Sequence, residues 1–104
     1  MFSKIDMEDT ITKEKLDKYF KISKEAFEKA KKTGIAKKAA GFQDARDDFL
    51  DMISRYISDA SHFESKKDYV NAFAALNYAH GWLDAGARLG LWDVKDSRLF
   101  TVDG

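Results

Sequence analysis

Residues 68–90 read DYVNAFAALNYAHGWLDAGARLG, and the fold turns on whether this mixture of small residues, aromatics and a polar series makes one helix. At about 100° per residue, Ala72, Ala75, Leu76, Ala79, Leu83 and Gly86 fall on one side, with Tyr78, Trp82 and Leu89 at its edge. Asn77, His80, Asp84 and Arg88 share a narrow stripe almost opposite. Such a division predicts a helix over 69–89, with Asp68 as its N-cap and Gly90 just past its end.

Working outward, Lys66 and Lys67 make a short turn, and a second helix is expected over about 36–65, starting near Ile35 or Gly41. Phe42, Phe49, Tyr56 and Phe63 recur there every seven residues, joined by Ala45, Met52, Ile53 and Ala60. Thr12 is a plausible cap for a first helix over 12–33, in which Leu16, Tyr19, Phe20, Ser23, Phe27 and Ala30 trace one stripe. Gly34 is suited to a left-handed ending. No proline interrupts the chain, and short loops imply antiparallel neighbours. The expectation is an all-α fold: one domain over 1–104, an up-down-up three-helix bundle. The tail 91–104 holds Leu91, Trp92, Val94, Leu99, Phe100 and Val102, too apolar for a disordered end. It is expected to pack back on the bundle as a lid, the alternative being a docking segment whose LFTV adds to a partner's sheet.

Composition narrows the functional classes. The chain has 104 residues, with 18 basic and 18 acidic side chains and no net charge. Nucleic-acid binding is therefore disfavoured. There is no Cys, which removes disulfides and thiolate metal sites and fits a reducing interior. MFSKIDMEDT lacks the apolar core of a secretory signal, and no run approaches the ~18 residues of a membrane span. A cytoplasmic protein without a membrane partner is expected.

The chemistry-bearing residues are sparse. Asp59 and His62 sit three apart, and His80 and Asp84 four apart, each pair offering two metal ligands where zinc needs at least three from the protein. In an antiparallel hairpin the two histidines lie roughly 14 Å apart, so no metal site and no cofactor are expected. Neither a Gly-rich phosphate loop nor a nucleophile elbow is present. Arg55 and His62 have the spacing of the Arg and His of HEPN-type ribonucleases, where two such pairs meet across a dimer. Arg55 with Asp59 is equally an ordinary i,i+4 ion pair. On the third helix, Asp84 with Arg46, Arg88 with Asp47 or Asp48, and Asn77 with Tyr56 are expected to staple the hairpin.

Two interior glycines each cost a helix about 1 kcal/mol relative to Ala and ask for a packing reason. Gly86 belongs to the core face, where a small residue lets a neighbouring helix approach. Gly81 projects roughly 140° away, in a groove with Ala74 and Ala85. Val70 and Phe73 continue that side, so something is expected to lie against it: the first helix, the tail, a second copy of the chain or a partner.

YISDASHF (56–63), DYVNAFAALNYAHGWLDAGARLGLW (68–92) and the closing RLFTVDG resemble the archaeal family catalogued as domain of unknown function 357, over most of residues 12–103. The resemblance implies a small helical bundle in an archaeal cytoplasm, with no established activity and no residue roles to carry over. DYVNAFAALNYA is more loosely similar to one helix of a tetratricopeptide or MIT-type hairpin, whose grooves bind peptides. The expected function is a non-enzymatic helical interaction module that associates with itself or with a protein partner. Its candidate face is Ala74, Asn77, His80, Gly81, Asp84, Ala85 and Arg88, with no catalytic residue assigned. The alternative is a dimeric HEPN-like ribonuclease using Arg55 and His62.

Overall fold

The computed structural model describes residues 11–96 and 98–100, and over these the chain is an all-α three-helix bundle. Helix α1 (Lys13–Lys32) starts where the Thr12 side chain accepts from the Lys15 amide at 3.2 Å. Helix α2 spans Gln43–Ser65 and α3 Tyr69–Leu89. Asp68 caps α3 by accepting from the Asn71 amide, and Gly90 ends it at φ 86°.

Of the two expected starts of α2, near Ile35 and near Gly41, the later is nearer to the observed Gln43. A short 3₁₀ turn, Lys37–Ala39, precedes it, and Gly41 takes φ 96°, a left-handed bend that no continuous helix can contain. Phe42 accordingly stands before the helix, largely exposed, and the seven-residue seam of Phe49, Tyr56 and Phe63 forms the half-buried edge of α2. Its buried residues are Ile53, Ile57 and Ala60. A strict heptad drifts ~20° per repeat around a straight helix, so it cannot stay centred on the core.

α1 also ends differently from expectation. Gly34 is not left-handed; the chain leaves the helix through an extended Thr33, at φ −95° and ψ 130°. That exit leaves carbonyls without helical partners, and Arg46 of α2 supplies them. Its guanidinium donates to the carbonyls of Ala30, Lys31 and Thr33 at 3.3, 3.0 and 2.9 Å, and to that of Leu91 at 2.6 Å. A helix C-terminus carries partial negative charge, and five fixed N–H donors suit several carbonyls at once. Arg46 is thus engaged here and not with Asp84.

The tail enters the core rather than covering it as a lid. Leu91, Trp92, Val94, Leu99 and Phe100 are buried among Ala26, Ala30, Ile53, Ala79 and Leu83. Gly86 serves this packing: the occupant of its notch is the indole of Trp92, and a Cβ at position 86 would overlap that ring. The indole Nε1–H donates to the Leu83 carbonyl at 3.0 Å, so the buried polar atom is satisfied. Backbone bonds from Ala36 to Gly90 (2.8 Å) and from Asp93 to Gly34 (3.0 Å) join the tail to the loop after α1. Lys29 with Asp96 and Arg98 with Glu25 add exposed ion pairs to α1. Val102 and the rest of the closing TVDG lie outside the described residues, as does MFSKIDMEDT.

A second cluster packs Leu16, Tyr19 and Phe20 of α1 against Ala60 of α2 and Ala72, Phe73 and Leu76 of α3. α3 therefore lies against both other helices, and only its outward side is left open.

Trp92→Ala should lower unfolding free energy by about 3–5 kcal/mol, measured by urea titration. Gly86→Ala should also destabilise, by about 1–3 kcal/mol, because a ring fixed at Nε1 cannot step aside. A neutral Gly86→Ala would show that Trp92 does not occupy the notch.

Candidate functional site

α3 owes its open face to composition. Between Tyr69 and Leu83 there is no Asp, Glu, Lys or Arg, in a chain that is 35% charged. Its inward residues Ala72, Ala75, Leu76, Ala79, Leu83 and Gly86 are buried. On the opposite side Val70, Tyr78 and Leu89 are 66%, 62% and 56% exposed. Burial of apolar surface is the main stabilising term in folding, and these three large side chains forgo much of it.

The seven residues of the candidate face separate into three groups. Gly81, Ala85 and Arg88 are exposed; Ala74, Asn77 and Asp84 are half-buried. His80 is 3% exposed and does not belong to the surface. It follows Phe73 by two helical turns, and the Phe73 ring meets Tyr19 of α1 edge-on at 5.3 Å. That flank is where α1 packs, and the polar stripe read from the sequence straddles the boundary.

Nothing approaches Gly81: a Cβ built there would meet no atom within 4 Å. It sits in a shallow groove of about 350 Å³ lined by Phe49, Asn77, Tyr78, Gly81, Trp82 and Ala85. The rings of Phe49 and Trp82 meet edge-on at 4.7 Å, and Tyr56 stacks on Tyr78 at 5.4 Å. Tyr56 therefore contacts the Tyr78 ring where an Asn77 amide was expected. Phe49, Tyr78 and Trp82 are the aromatic part of the groove, which the sequence pattern puts in the seam of α2 and at the edge of the core; Tyr56 backs it through Tyr78. The charge-free run from Tyr69 to Leu83 was the available signal.

The remaining polar groups do not converge. Arg55 pairs with Asp51 at 3.0 Å, one turn before it, and not with Asp59; Arg55, Asp59 and His62 are all exposed on α2. His80 Nε2 lies 3.6 Å from Asp84 Oδ1. Burial pushes the His80 imidazole below its ordinary value, and the Asp84 carboxylate opposes this in part. Among the described residues no group of three or more His, Asp or Glu could hold a metal ion. No helix among them is long and apolar enough to cross a membrane.

Over residues 18–92 the chain matches the model of a family described as a protein of unknown function, DUF357. No curated protein and no solved structure matches it. The chain belongs to the DUF357 family, and the matched segment runs from within α1 to Trp92.

Gly81→Ala should raise stability by about 1 kcal/mol, the helix-propensity difference in open space, opposite in sign to Gly86→Ala in the same urea titration. His80 gives a pH signature. Its folded value lies below the unfolded one, near 6.5, so the unfolded chain takes up the proton first. Its contribution is whole above that value and is lost as pH falls below it. Urea midpoints compared at pH 7 and pH 5 should fall less in His80→Phe than in the native chain.

Proposed function

We propose that this DUF357 protein is a non-enzymatic helical interaction module, acting in a reducing cell interior, whose outward α3 face docks a protein partner or a second copy of the chain. The observation that carries the reading is the open groove at Gly81 within a charge-free and exposed helical face. Single exposed apolar residues are ordinary, but contiguous ones rimmed by polar groups mark association surfaces. Aromatic residues such as Tyr78 and Trp82 are the types enriched at the centres of protein interfaces. The polar rim is supplied by Asn77, Asp84 and Arg88. The absence of net charge on the chain favours a protein surface over a nucleic-acid backbone.

The test is affinity capture from cells of the source organism together with sedimentation of the purified protein, with Gly81→Leu as the control. The variant should lose captured protein or self-association while its circular dichroism and urea midpoint stay native, since its side chain enters open space. A native chain that captures nothing and sediments as a monomer at every concentration would overturn the reading. Unfolding of Gly81→Leu would place the groove inside the bundle.

A further inference from the structure

Resting on that reading, we propose that the occupant of the outward α3 face is a second copy of this chain, the two α3 helices packing antiparallel about a two-fold axis at Tyr78. The charge pattern of the helix chooses this arrangement. Its uncharged run is bounded by Asp68 at the N-terminal end and, beyond Asp84 at its edge, by Arg88 at the C-terminal end. Asp68 and Arg88 stand ten residues on either side of Tyr78, about 15 Å each way. An antiparallel pair centred on Tyr78 therefore sets Arg88 of each copy beside Asp68 of the other and opposes the helix dipoles. A parallel pair would set Asp68 against Asp68 and Arg88 against Arg88.

Shape agrees with charge. Ala74, Gly81 and Ala85 keep the face low, and Tyr78 stands out from it, 62% exposed and stacked on Tyr56. In a two-fold pair each Tyr78 enters the groove beside the other copy's Gly81, a self-complementary contact of the kind a two-fold dimer requires. Val70 and Leu89 at opposite ends of the face then cover one another. A helix of 21 residues is about 31 Å long and ~10 Å across, so α3 against α3 covers roughly 300 Å² in projection. That is below the ~800 Å² per partner of a standard interface and puts the pairing in the small, reversible class, which a concentration series resolves.

The experiment is sedimentation velocity of the whole chain over a concentration series, with disulfide trapping. The native protein should sediment as a dimer, and Tyr78→Glu should weaken it by roughly 30-fold or more without loss of helicity. Because the chain has no cysteine, single-cysteine variants report geometry directly. Asn71→Cys and Ala85→Cys chains, both at exposed positions, should cross-link when mixed. Each alone should not, its two copies lying about 21 Å apart along the axis. A dimer indifferent to Tyr78→Glu, or one in which Asn71→Cys cross-links to itself, would overturn the proposal. A native monomer would overturn it too, and if that monomer captured a partner that Gly81→Leu lost, the module reading would stand while self-pairing fell.

Discussion

The bundle depends on one contact, the Trp92 indole against the bare backbone of Gly86. A Trp is the largest apolar surface a chain can bury, and this one comes from outside the three helices. Only a residue without a Cβ leaves room for it on the core face of α3. With the indole seated and its Nε1–H on the Leu83 carbonyl, the tail is drawn into the space between α1, α2 and α3. Leu91, Val94, Leu99 and Phe100 follow into the same cluster. Three helices of about twenty residues bury limited surface, and here the tail supplies much of the large-residue content of the core.

Seating the tail creates a polar requirement that Arg46 meets. The loop after α1 and the chain after α3 run side by side, joined by the bonds of Ala36 to Gly90 and Asp93 to Gly34. Carbonyls of Ala30, Lys31, Thr33 and Leu91 are gathered at this junction, and the guanidinium donates to all four. Lys38 does the same for the Arg88 carbonyl at the end of α3, at 3.0 Å. Unmade bonds to part-buried carbonyls are costly, so Arg46 fixes where α1 ends and where the tail begins, and the exposed Lys38 bond adds to it.

What could be read in the sequence was local, and what could not was long-range. Thr12, Asp68 and Gly90 cap their helices through groups within four residues, and the inward face of α3 follows from angle alone. The residues leave the start of α2 open between Ile35 and Gly41, because nothing around Gly41 distinguishes a left-handed glycine from a helical one; the helix begins at Gln43. Sequence displays charges and hides carbonyls, so it offers Arg46 a carboxylate, Asp84, where the fold offers four carbonyls. Gly86 was recognised as a close-packing position, but its occupant lay in a tail whose path no periodicity encodes. For the site, Gly81, Ala85 and Arg88 are exposed and His80 is buried; spacing leaves open whether another part of the chain covers Gly81, because helical angle does not tell how far a neighbouring element reaches.

The two interior glycines of α3 show how far one residue type can serve opposite ends. At Gly86 the missing Cβ is filled by a ring, and the helix-propensity cost is offset by burial. At Gly81 the same cost, about 1 kcal/mol, stands with no internal compensation, since the space above it is open. Helix propensity alone favours Ala there, and solubility favours charge on the exposed positions between Tyr69 and Leu83. On the reading proposed above, a helix that forgoes both on one face, while packing the other around Trp92, carries a surface made to be covered.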